Sequence, residues 1–157
     1  MLNEASLIES ELTLRKLRID NTTTETRRAI ARWLALALGL VNPGESRQSV
    51  VEVLDGLLYF QFVKQQDPDV ETLKQYIATN WEPINEKTLR YHLLRMKRMG
   101  LIDNSQGKFY FKPPASGDRF NANIVFSSIF EQNLKEIVER IGKVVEEFRN
   151  KSKIMGE

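Results

Sequence analysis

Apolar residues recur at three- and four-residue intervals along most of this chain, interrupted where turn-forming residues cluster. Over residues 4–19, Leu7, Leu14 and Leu17 fit one helical face. Leu12-Thr13-Leu14 and Leu17-Arg18-Ile19 also alternate as a strand would, with helix the favoured reading. Thr22-Thr23-Thr24-Glu25 then matches a capping box, in which a hydroxyl and a carboxylate satisfy exposed N–H groups reciprocally. It predicts a helix to about Leu40 with Ile30, Trp33, Leu34, Ala37 and Leu40 toward a core. After the loop at Asn42-Pro43-Gly44, a second capping-box match at Ser49-Val50-Val51-Glu52 opens a helix to about Gln65. Its apolar residues, Val50, Val53, Leu54, Leu57, Leu58, Phe60 and Phe62, wrap most of the circumference, so it is expected at the centre of the core.

Asp67-Pro68-Asp69 ends that helix and starts another to about Asn80, with Pro68 suited to the first turn and Val70, Leu73, Tyr76 and Ile77 on one side. Trp81 to Ile84 form a turn, and Asn85 is a good N-cap for the next helix. Beyond Gly100, Leu101-Ile102 and Lys108 to Phe111 read as short strands. Asn104-Ser105-Gln106-Gly107 joins them in a hairpin, and its final glycine suits a bulge. Pro113 to Gly117 stop the hairpin. A last helix from about Asn123 to Lys151 carries Phe130, Leu134, Ile137, Ile141, Val144 and Phe148 at spacings of 4, 3, 4, 3 and 4, a heptad seam. A helix of that length spans roughly 43 Å, longer than a small domain's core, which favours pairing with a second copy over packing within the chain. The fold class is mainly α.

Composition narrows the chemistry. With 157 residues and 41% hydrophobic content the chain can bury a proper core. There is no cysteine, which removes disulfides, thiolate metal sites and cysteine nucleophiles, and a single histidine, His92, which argues against multi-histidine zinc sites. No phosphate loop, nucleophile elbow or framed carboxylate pair is present, so no enzyme, cofactor or metal is expected. The acidic first residues lack a signal-peptide core, and the longest apolar run, Trp33 to Val41, is far short of the roughly 20 residues that span a bilayer. A soluble cytoplasmic protein is the expectation.

Charge is unevenly placed. The chain carries +2 in all, yet residues 85–119 hold eight cations against three anions, +5, leaving −3 for the rest. At about 100° per residue, Leu89, Leu93, Met96 and Gly100 fall on one side of the Asn85 helix. Lys87, Tyr91, Leu94 and Arg98 share the other, flanked by Arg90, Arg95 and Lys97. Cations with one aromatic on an exposed helix face suit a nucleic-acid backbone and guanine edges. Solvated surface is the bland alternative. Tyr91 stacks on a sugar or covers a neighbour. Arg28, Arg32 and the Arg149-Asn150-Lys151-Ser152-Lys153 tail read as solvated before they read as phosphate contacts. Trp33, Phe60 and Phe62 are core residues ahead of being pocket walls, and His92 packs at a boundary.

The stretch Thr88 to Ile102, TLRYHLLRMKRMGLI, resembles the recognition helix and wing of winged helix-turn-helix DNA-binding domains of the ArsR, PadR and MarR type. The resemblance covers roughly 46–112. Beside an N-terminal helical extension (1–45) and the heptad helix as a C-terminal dimerisation segment (123–152), the resemblance implies a winged helix-turn-helix core (46–114). It further implies a homodimer that binds double-stranded DNA in transcription regulation. Positions matching the family's contacts are Lys87, Thr88, Arg90, Tyr91 and Arg95, with Lys108 on the wing, and Arg98 extends the same face. The sequence departs from the family in lacking the metal-sensing cysteines and in its helices before residue 46. Leu94, in the middle of the basic face, fits a thymine methyl or a protein partner. The competing expectation is therefore a winged helix that binds another protein in a larger complex.

Overall fold

A computed structural model describes residues 3–46 and 49–154. The chain forms two compact units, 1–112 and 113–157.

The first unit has four helices and a hairpin: α1 (Arg27–Ala37), α2 (Ser49–Leu58), α3 (Val70–Asn80), α4 (Glu86–Arg98), β1 (Ile102–Ser105) and β2 (Lys108–Phe111). Helix α2 is the centre, as its sequence predicts: every residue from Val50 to Leu57 is buried. Gly56 lets α3 come close, since a Cβ there would stand 3.0 Å from Leu73 Cδ2. The helix continues as a π-helical segment, Tyr59–Lys64, and ends at Gln65 in the left-handed region. The wider turn aims Gln61 inward, where its Oε1 accepts the Phe111 N–H at 2.7 Å and ties the helix to the wing. Leu73, Ile77, Leu89, Leu93, Met96, Ile102 and Phe111 complete the core around it. Each contributes on the order of 1.5–3 kcal/mol of burial.

The N-terminal residues depart from the expected helix over 4–19. One 3-10 turn, Glu4–Leu7, is followed by extended chain to about residue 20. Long-range bonds override the leucine spacing. The Arg15 guanidinium donates to the carbonyls of Leu36 and Val41 and to Asn42 Oδ1, and the Arg15 N–H donates to Ala37. Thr13 crosses so closely over Gly39 that a Cβ there would lie 2.6 Å from it, and Gly39 also has φ +70°. Residues 3–45 thus supply one α-helix and an extended strap within the first unit.

The Thr22–Glu25 capping box does not form. Asp20 turns back on Thr22 and Thr23, which holds its carboxyl below the usual range, and Thr26 caps α1 instead. The buried stripe of α1 is Ala31 and Ala35, with Ile30 38% exposed and Trp33 and Leu34 half-buried, so the expected core face is rotated. Ser49 is the first residue of α2 and its hydroxyl meets His92; Arg47 and Gln48 lie outside the described residues. Pro68 precedes α3 rather than opening it. Asp69 is the cap, its side chain accepting the Thr72 N–H at 2.8 Å.

Asn85 caps α4 as predicted, accepting the Lys87 N–H at 2.7 Å. Gly100 (φ +79°) ends it: its N–H reaches Lys97 and that of Leu101 reaches Met96, a Schellman closure. The hairpin is tighter than expected. Strand β1 extends to Ser105, and Gln106 and Gly107, both with positive φ, make a two-residue type I′ turn with no bulge. Pro68 and Asp69 add a one-residue third strand: Phe109 N–H donates to the Pro68 carbonyl and Asp69 bridges Lys108.

The second unit is dominated by α5 (Ala122–Ile154), 33 residues or about 50 Å long, capped by the Asn121 side chain on the Ile124 N–H. Val125 and Ile129 are buried, whereas from Leu134 onward its apolar residues are exposed. The architecture is mainly helical, a helix-turn-helix with a two-stranded wing and a long C-terminal helix. Among the described residues no helix is long and apolar enough to cross a membrane.

Candidate nucleic-acid interface

Helix α4 divides its residues cleanly. Leu89, Leu93 and Met96 are at most 2% exposed, and Lys87, Arg90, Tyr91, Leu94, Lys97 and Arg98 face outward. Lys87 lies in the first turn. Arg90, one turn on, keeps an exposed 3.7 Å ion pair with Glu86, itself 3.9 Å from Lys74 on α3. Such pairs contribute at most about 1 kcal/mol and yield readily to a phosphate. Tyr91 is 62% exposed, its ring edge-on to His92. Thr88 is half-buried beside the cap.

Arg95 is differently placed from its neighbours. It is half-buried and donates to the Leu40 carbonyl at 3.3 Å, so part of its guanidinium serves the fold. Arg98 is exposed at the end of the helix, and Lys97 donates to Asn104 of β1 at 2.6 Å, fixing the wing against α4. Lys108 is exposed at the turn end of β2, its backbone paired in an isolated β-bridge with Asp69, the cap of α3. The Thr72 N–H, chiefly, and the Lys108 charge more weakly hold the Asp69 carboxyl below its ordinary value.

One feature of this face has no signal in the helical pattern. The extended strap passes beside it, and Ile8, Glu9, Ser10 and Glu11 face Tyr91, Leu94, Arg95, Arg98 and Met99 across an open cleft of about 350 Å³. Two carboxylates thus stand opposite two of the candidate arginines, and Leu94, 47% exposed, lines the cleft. Only the folded position of residues 8–11, set by the anchoring of Arg15, brings this about.

His92 is buried beneath the face. Its Nε2 pairs with the Ser49 hydroxyl at 2.8 Å, and Nδ1 is buried with no hydrogen-bond partner. Burial first, and then the Arg95 charge, hold the imidazole below its ordinary value, so it is neutral near pH 7 and fills a packing role.

The arginines of α1 also bond to the fold, although Arg28 is exposed as expected of a solvated surface residue. Arg28 donates to the Asn80 carbonyl at 2.8 Å and lies 4.3 Å over the Trp81 ring, and Arg32 donates to the Glu45 carbonyl at 2.7 Å. Beside them Asp55, a helical acid without a surrounding motif, accepts from Arg27 (3.1 Å), Tyr76 (3.1 Å) and Trp81 (2.8 Å), and Arg27 also donates to the Tyr76 hydroxyl. This cluster pins α1, α2 and α3 together and fixes the turn before α4. Glu52, also buried, has its carboxyl pushed up by desolvation. Trp33 lines a small apolar pocket with Ile19, Ile30 and Leu34, but Phe60 and Phe62 do not. Phe60 meets Tyr76 edge-on, and Phe62 stacks on Phe111.

On α5, Phe130 is half-buried with its ring stacked on Phe126, while Leu134, Ile137, Ile141, Val144 and Phe148 are 43–72% exposed. Among the described residues no group of three or more metal-ligating side chains comes together. Comparison with protein-family models, curated proteins and solved structures finds no match.

Proposed function

We propose that this protein binds double-stranded DNA through α4 and the β1–β2 wing, as a homodimer acting in transcription regulation. The observation that carries this reading is the two-sided character of α4. A buried apolar stripe holds the helix on the domain, and Lys87, Arg90, Tyr91 and Arg98 project from its outer face. A helix so mounted fits the major groove, where arginine reads guanine and lysine neutralises phosphate. Lys108 on the wing adds a cation on a separate element, suited to the backbone beside the groove.

Fluorescence anisotropy of the full chain on a random duplex of about 20 base pairs tests the reading. Binding should weaken steeply between about 50 and 200 mM salt, as counterion release requires. Absence of salt-sensitive binding to duplex DNA defeats it.

The cleft favours a second reading, in which Tyr91 and Leu94 receive an apolar side chain from a partner protein between α4 and the strap. Stoichiometric co-purification of a protein, with no duplex binding, would select it.

A further inference from the structure

The seam of α5 offers far more apolar surface than a solitary helix keeps in water. Leu134, Ile137, Val138, Ile141, Val144, Val145 and Phe148 are 43–72% exposed and lie on one side of the helix. Together they present roughly 700 Å² of apolar surface, above the ~300–600 Å² typical of the largest patch on a monomer. Two copies face to face would bury up to about 1,400 Å², within the ~1,200–2,000 Å² of stable interfaces.

Heptad positions decide the orientation. The spacing puts Leu134, Ile141 and Phe148 at a and Phe130, Ile137 and Val144 at d. Val138 and Val145 then fall at e, and Asn133, Arg140 and Glu147 at g. In a parallel pair each e residue faces a g residue of the other helix, which sets Val138 against Asn133 and Val145 against Arg140. In an antiparallel pair a layers meet d layers and e meets e. With the two-fold axis at position 139 all six seam residues are matched: Phe130 with Phe148, Leu134 with Val144, Ile137 with Ile141. Val138 then meets its own copy at the axis and widens the apolar strip. The parallel arrangement leaves both valines against polar side chains; the antiparallel one leaves only Val145, which meets Glu131, and sets Arg140 beside its own copy at the exposed edge.

We infer that α5 pairs antiparallel with α5 of a second copy, centred on residue 139. The inference rests on the homodimer proposed above and adds its geometry. The two Ala122 ends then lie about 50 Å apart along the pair, whereas a parallel pair would bring them together.

The chain has no cysteine, so introduced thiols report only on each other. Full-length Leu134→Cys and Val144→Cys are oxidised separately and as an equimolar mixture, then run on a non-reducing gel. Residue 134 lies about 15 Å from its own copy along an antiparallel pair, beyond the ~7 Å Cα limit for a disulfide, but opposite residue 144. The expected result is a linked dimer in the mixture alone, reaching up to about half of the chains by random pairing. Self-linking of either variant by itself overturns the orientation. No link in the mixture overturns the register, and a monomer by sedimentation equilibrium of the wild-type chain at tens of micromolar overturns the pairing altogether. No DNA enters these measurements, so their failure and a failure to bind duplex are read separately.

Discussion

Helices α4 and α5 are both amphipathic, yet only α4 has its apolar face covered along its length. The apolar stripe of α4 meets α2 and the wing within the first unit, and what remains outside is mainly charge, with Tyr91 and Leu94 among it. The apolar stripe of α5 is buried at Val125 and Ile129 and half-buried at Phe126 and Phe130, and from Leu134 onward its apolar residues lie exposed beside its charged ones. The same local pattern therefore has different consequences, set by whether the chain supplies a cover. An exposed charged face suits a polyanion; an exposed apolar seam suits another helix.

The sharpest way to break this comparison is one substitution on each helix. Leu89→Ala removes a fully buried side chain from α4 and should cost about 2–5 kcal/mol, read as a lowered denaturation midpoint of the first unit. Ile141→Asp should leave the stability of residues 1–112 within about 0.5 kcal/mol, because Ile141 is 59% exposed on α5, while abolishing self-association in sedimentation. Equal effects of the two on folding would mean that α5 is covered within its own chain.

Acid provides a smaller and more selective probe of what lies under α4. The folded His92 holds its proton less tightly than the unfolded one, so stability should fall as pH drops through about 6.5 toward the lowered value, and stay reduced below it. Asp20 and Asp69, depressed in the fold, lose their contribution only nearer pH 4 and below. Thermal melts between pH 7.5 and 5 should show the upper step in the wild type and lose it in His92→Asn. A step that persists in the variant would assign it to another group.

The smallest expected effect concerns the strap. Glu9 and Glu11 stand across the cleft from Arg95 and Arg98, so Glu9→Gln with Glu11→Gln should tighten duplex binding by roughly two- to tenfold at low salt, and less as salt screens the field. Unchanged affinity would place the DNA on α4 away from the cleft.

Residues 85–111 were readable from sequence because their signals are local. Asn85 caps, Gly100 closes the helix with positive φ, and leucines at helical spacing mark the buried side. The hairpin's position was legible too, though its turn was not, because Gln106 in the left-handed region is an unusual choice beside Gly107. The strap was misread for the opposite reason. Leu7, Leu14 and Leu17 satisfy a helical period, while Arg15 and Thr13 are held by partners more than 20 residues away that no window contains. The capping boxes at Thr22 and Ser49 failed similarly, since Asp20 and His92 compete for those hydroxyls. Arg95 shows the limit for the site itself: a helical wheel places it beside the basic face, and only the fold reveals that Leu40 holds it.

The charged face of α4 is the central claim, and the salt dependence of duplex binding tests it most directly, comparing the wild type with Lys87→Ala/Arg90→Ala/Lys108→Ala. All three side chains are exposed and none holds the core, so the variant should stay folded. The account predicts that the slope of log affinity against log salt flattens by up to about 0.9 for each lost phosphate contact, with weaker binding at every salt below about 0.2 M. An unchanged slope and affinity would contradict it.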